Sequence, residues 1–191
     1  MVRIMYSVKR DGRVQWLWGK IFILIFLLFV FPLYDQVKME EHPLKALIIS
    51  RFFDFIRWPN GSEENGNLSR FVIGFIGNTP MADYKKKFTE KIRIPGKKLV
   101  FKDLTEPEQI VECHTVIIGE NQSDRLKEIL TLTDGKPILT IADTEGFGEK
   151  GVLINLYLSG KKVKFEINLP AVKRSGLIFS SKLYKLAKII D

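Results

Sequence analysis

One cysteine and two histidines are all that this 191-residue chain holds of the residue types that most often carry nucleophilic, metal and proton-transfer chemistry. The lone Cys113 excludes an intramolecular disulfide, and a domain of this size can bury enough core to do without one. His114 follows Cys113 directly, but a thiol needs its imidazole brought in from the side, and neighbours along a strand point to opposite faces. Cys113 therefore reads as a small apolar group at the start of a buried strand. With His42 as the only other imidazole, the chain has too few soft or nitrogen ligands for a zinc site. Gly146 to Gly151, GFGEKG, spells G-x-G-x-x-G after a strand, yet a dinucleotide site needs that run to open a helix. Here it leads into the strand-like VLINLYL, so the glycines read as a turn between strands. Asp143 ends a strand, a place where catalytic carboxylates occur, but without a partner acid, base or nucleophile it reads as a turn former. The residues yield no catalytic constellation, no cofactor site and no metal site.

The formal net charge of +8 divides unevenly. Arg3, Lys9, Arg10, Arg13 and Lys20 against Asp11 put half of it in residues 1–34. Lys85, Lys86, Lys87, Lys91, Arg93, Lys97 and Lys98 then lie close together with few aromatics among them. Nucleic-acid binding calls for a basic face interleaved with stacking residues, so this cluster reads as a solvated face. In residues 1–34 a basic head precedes the unbroken apolar run Ile21 to Phe31 and then Pro32, the pattern of an export signal. That run is shorter than the roughly 20 residues that span a bilayer. No small-x-small triplet follows it, so both a cleaved leader and an uncut N-terminal anchor stay open. An uncut leader is the only membrane contact that the sequence suggests.

From Pro43 onward one α/β domain is expected, over 43–190. Leu44, Leu47, Ile48, Phe52 and Phe55 form an apolar stripe on an opening helix, which Trp58-Pro59 ends. A polar loop, Asn60 to Asn67, follows. Strands are then expected at 71–76, 98–103, 115–119 and 137–143, separated by helices at 80–91, 106–113 and 123–132, the last capped by Ser123. Alternation of that kind calls for parallel pairing with right-handed crossovers. Strands 152–158 and 162–168, joined at Ser159-Gly160, can pair only antiparallel. The fold class is thus α/β, a single-domain mixed and mostly parallel sheet with helices on both faces and a C-terminal antiparallel hairpin.

The last thirty residues carry the functional reading. Val163, Phe165 and Ile167 alternate with Lys164, Glu166 and Asn168, the pattern of a strand with one buried and one exposed face. Pro170 fits the first turn of a short helix, Lys173 and Arg174 suit its carboxyl end, and Gly176 stops it. A final helix, capped by Ser180 or Ser181, would carry Leu183, Leu186, Ala187 and Ile190 on one face. Glu166 and Asn168 on an exposed strand face, with Val172, Lys173 and Arg174 on or beside the helix, make an apolar spot ringed by charge, the make-up of a partner-binding patch. On the residues alone a surface ion pair of Glu166 with Lys164 or Arg174 is the favoured reading.

FEINLPAVKRSGLIFSSKLYKLA resembles the C-terminal signature of the YfiR-like family. KALIISRFFDFIRWP, FVIGFIGNTP, ECHTVIIG and KPILTIADTEGFGEKG fit the family's remaining segments in order. The resemblance implies a periplasmic regulatory protein without catalytic activity. Such a protein binds the periplasmic portion of an inner-membrane diguanylate cyclase and represses it, lowering cyclic di-GMP and biofilm formation. It places Glu166 and Val172 where the family's partner-contacting patch is expected, and it leaves a homodimer open. The alternative is a periplasmic sensor that binds a small molecule in the crevice near Gly77, Gly119 and Asp143.

Overall fold

The computed structural model describes residues 41–59 and 70–191; the expected leader and the loop after Pro59 lie outside them. Helix α1 occupies 41–52. Its buried face carries Ala46, Ile49 and Phe52, with Phe53 in the turn that follows. The expected stripe is displaced by about one position, for Leu44 is 41% exposed and Leu47, Ile48 and Phe55 are half-buried. The reason is Lys45, a residue that a hydrophobicity pattern assigns to solvent but that is buried here in ion pairs. The helix also ends before Trp58, because Ile56–Arg57 form a short strand, β1. Trp58 is a core aromatic. It stacks on Phe53 at 6.0 Å, meets Phe71 edge-on at 4.8 Å, and donates from Nε1 to the His114 carbonyl at 3.2 Å.

Strand β2 (Arg70–Ile76) leads through a 3-10 turn (Pro80–Tyr84) into helix α2 (Lys85–Lys91) and strand β3 (Lys98–Leu104). The segment expected as a third helix is a 3-10 turn, Pro107–Glu112, before strand β4 (Thr115–Ile118). Helix α3 (Leu126–Thr133) starts later than expected. Ser123 is not its cap, since its hydroxyl donates to the Glu120 carbonyl within a preceding 3-10 turn. Strand β5 (Leu139–Ala142) is followed by α4 (Phe147–Lys150), a single helical turn where a plain turn between strands was expected. Strands β6 (Ile154–Ser159) and β7 (Lys162–Asn168) form the hairpin, and α5 (Leu169–Ser175), β8 (Ile178–Phe179), α6 (Ser181–Leu186) and β9 (Lys188–Ile190) complete the chain.

The main sheet has the order β3-β2-β4-β5-β6-β7-β9, parallel except for β6–β7, while β1 and β8 pair antiparallel beside it. Alternation along the strands divides the core between the two faces. Phe71, Ile73, Phe75, Ile117, Leu139 and Ile141 meet Ile49, Phe52 and Phe88 of α1 and α2; Val72, Ile76, Val116 and Ile118 meet Ile110, Leu126 and Ile129. Each fully buried side chain of this size contributes about 1.5–3 kcal/mol relative to exposure. Phe52 edge-packs on Phe165 at 5.0 Å, tying the first helix to the hairpin.

The end of the chain differs most from expectation. Ser180 caps α6, as the sequence suggests, but the helix stops at Leu186 and the β-branched pair Ile189-Ile190 joins β9 to β7 in parallel. Three residues of strand thereby satisfy the backbone of what would otherwise be the sheet edge. Only Leu183 of the expected apolar face is buried, and Leu186 is 70% exposed.

Candidate partner-binding surface

The β6–β7 register sets Asn155 directly opposite Glu166. Asn155 Nδ2 donates to Glu166 Oε1 at 3.1 Å and to the Thr144 carbonyl at 2.9 Å. Across the other edge of β7, Lys188 of β9 donates to Glu166 Oε2 at 3.3 Å, and this bond raises the Lys188 pKa. Above the carboxylate lies α4. A Cβ on Gly148 would stand 2.9 Å from Glu166 Cδ and 3.0 Å from Cγ, so only glycine lets the turn settle there. Asn168 joins the same assembly: its Nδ2 donates to the Gly148 carbonyl at 2.9 Å, and its Oδ1 accepts from Ala171 N at 2.8 Å as the cap of α5. One side chain thus fixes α4 and the start of α5 together.

The expected exposed strand face is therefore corrected. Glu166 is 7% exposed, Asn168 8% and Val172 3%. Period-2 alternation holds only next to the hairpin turn; from Phe165 onward both faces are covered, one by the main core and the other by α4. Val172 packs into the core beside Ala171. Neither Lys164 nor Arg174 is the partner of Glu166. Lys173 and Arg174 are exposed, and Arg174 Nε donates to Asp134 at 2.7 Å. Arg174 and Lys150 share the wall of an open cleft of about 740 Å³ with Leu126, Lys127, Leu130 and Asp134. Of the five residues read as one patch, Lys173 and Arg174 are at the surface, Glu166 and Asn168 form a hydrogen-bonded floor beneath α4, and Val172 belongs to the core. Asn155, overlooked in the sequence, belongs with the floor; the one signal for it was an asparagine inside the apolar run VLINLYL.

Asn78 N donates to Asn121 Oδ1 at 2.7 Å, and a Cβ on Gly119 would lie within 2.8 Å of the Asn78 backbone, so the loops after β2 and β4 occupy each other's space. Asp143, expected as a turn former, accepts from Lys45 Nζ at 2.9 Å, and Lys45 also pairs with Glu41. Burial lowers the Lys45 pKa, but the two carboxylates outweigh it and the pKa is raised. The triad clamps α1 to the end of β5. Cys113 is buried at the start of β4, and burial pushes its thiol up to about 11, away from nucleophilic reactivity. Among the described residues no group of three or more His, Cys, Asp or Glu is placed to hold a metal ion.

A family model described as YfiR/HmsC-like matches residues 42–188, most of the chain. Among solved structures, the chain is similar to the ABC domain in complex with L-Trp from Streptococcus pneumonia, at 10% identity and a TM-score of 0.47, with 66% of this chain and 56% of that chain covered. The chain thus spans little more than half the length of that structure.

Proposed function

The chain belongs to the YfiR/HmsC-like family of periplasmic regulators of cyclic di-GMP signalling, and from that premise we propose that it binds the periplasmic portion of an inner-membrane diguanylate cyclase and holds it inactive. The observation that supports this reading is the division of labour in the C-terminal signature. Glu166, Asn168 and Asn155 build a hydrogen-bonded floor that fixes α4 against α5. Lys173 and Arg174 are exposed at the carboxyl end of α5, with Lys150 and Arg174 on the wall of the cleft. Residues committed to a floor of this kind give a rigid surface, which lowers the ordering cost of binding. Repression requires the surface to bind the cyclase's inactive state more tightly than its active one. No step of this mechanism needs a catalytic group or cofactor in the domain.

Residues 1–34 would export the chain and, where uncut, tether it beside its partner. The test is binding of the purified protein to the cyclase's periplasmic portion. Lys173→Glu with Arg174→Glu is expected to weaken the complex tenfold or more while thermal unfolding stays as in the wild type; Glu166→Gln is expected to act through the floor and lower stability along with affinity. Unchanged affinity in the double variant would remove α5 from the interface.

A further inference from the structure

We infer that the outward face of α6 and β9 is a second interaction surface, one that lies on an anionic phospholipid bilayer. From Ile178 to Ile190 the chain contains no acidic residue, and Lys182 and Lys185 of α6 supply two exposed positive charges. Helix α6 turns Leu183 inward and leaves Lys182, Lys185 and Leu186, at i, i+3 and i+4, exposed on one face. Leu186 is 70% exposed, Ile189 of the adjoining strand 37%, and Ile178 just before the helix 60%. Lys188 of β9 is held in its ion pair with Glu166, on the opposite face of the sheet from Ile189, and is not part of this surface.

The composition distinguishes between occupants. Protein interfaces concentrate Trp, Tyr and Arg at their centres and are poor in Lys. Lysines on long flexible stems around isolated aliphatic tips instead match an interfacial lipid contact, in which the ammonium groups meet headgroup phosphates and the leucine and isoleucine enter the boundary layer. Charge complementarity of Lys182 and Lys185 to phosphatidylglycerol and cardiolipin headgroups fits the face, and the expected leader, where uncut, would bring the same chain to a membrane. This surface is distinct from the α4–α5 face and does not depend on the cyclase reading.

The test uses the full chain with Leu186→Cys carrying an environment-sensitive fluorophore, Cys113 being buried. Vesicles of phosphatidylglycerol and phosphatidylcholine, or of phosphatidylcholine alone, would contain a nitroxide-labelled lipid as quencher. The probe is expected to shift to the blue and be quenched only where phosphatidylglycerol is present. Lys182→Glu with Lys185→Glu should reduce the bound fraction of the probe face at least 25-fold, since each lysine near such a surface is worth roughly fivefold. Salt near 1 M, where the screening length is about 3 Å, should release it. The proposal is overturned if the probe stays in water on anionic vesicles or is quenched equally on neutral ones. It is also overturned if a probe at exposed Val111 is quenched to the same degree, which would report tethering by the leader alone.

Discussion

Gly148→Ala tests whether α4 really rests on Glu166. A methyl group at 148 would press on the carboxylate end of Glu166 and lie 2.9 Å from Cδ and 3.0 Å from Cγ. The glutamate has little freedom to retreat, because Asn155 holds one oxygen and Lys188 the other. Overpacking of this kind costs about 1–3 kcal/mol. Ala in place of Gly within a helical turn returns about 0.5–1 kcal/mol, so the net loss should be about 1–2 kcal/mol. In a Glu166→Ala background the obstruction is gone, and the same substitution should become neutral or stabilising by up to about 1 kcal/mol. Urea unfolding of the wild type, both single variants and the double variant, followed by far-UV circular dichroism, then gives a coupling energy of about 1–3 kcal/mol. Additive effects, within about 0.5 kcal/mol, would mean that the turn and the carboxylate do not touch and that Glu166 is free to reach solvent.

Two further outcomes follow from buried groups. Lys45→Ala leaves Glu41 and Asp143 facing each other without their cation; allowing for their partial exposure, it should cost about 2–3 kcal/mol, and Lys45→Met with Asp143→Leu should recover most of that. A loss below about 0.5 kcal/mol by thermal unfolding would show that the clamp carries no stability. The folded Cys113 thiol keeps its proton to about 11, whereas the ordinary value is 9.0. Between those values the unfolded chain binds fewer protons, so stability falls as pH rises, by about 3 kcal/mol in all. Cys113→Ala should remove that part of the alkaline slope, and an identical slope in the variant would contradict the assignment.

Much of the fold was legible because it follows from local chemistry. The buried runs FVIGFI, TVII and LTIA, separated by helical segments, read as central parallel strands, the Ser159-Gly160 turn calls for a hairpin, and Pro170 and Gly176 bracket α5 as start and stop should. What was hidden depended on tertiary neighbours. Glu166 reads as exposed until a one-turn helix from before the hairpin is laid over it; GFGEKG gives no sign of that helix because its glycines serve turns equally well. Lys45 reads as solvent-facing until Asp143 arrives from the far side of the sequence. The helical period of Leu183, Leu186 and Ile190 lost to strand pairing along β7, an energy that belongs to the sheet and not to the segment. In the signature, the expected depth of Glu166, Asn168 and Val172 was wrong because what covers them comes from elsewhere in the chain.

The most direct test of the central claim is intracellular cyclic di-GMP in the native bacterium with this gene deleted and then restored. Deletion should raise it, and the wild-type gene should return it to the starting level. Lys173→Glu with Arg174→Glu, present at wild-type abundance, should fail to do so. No rise on deletion, or full restoration by the double variant, would contradict the account.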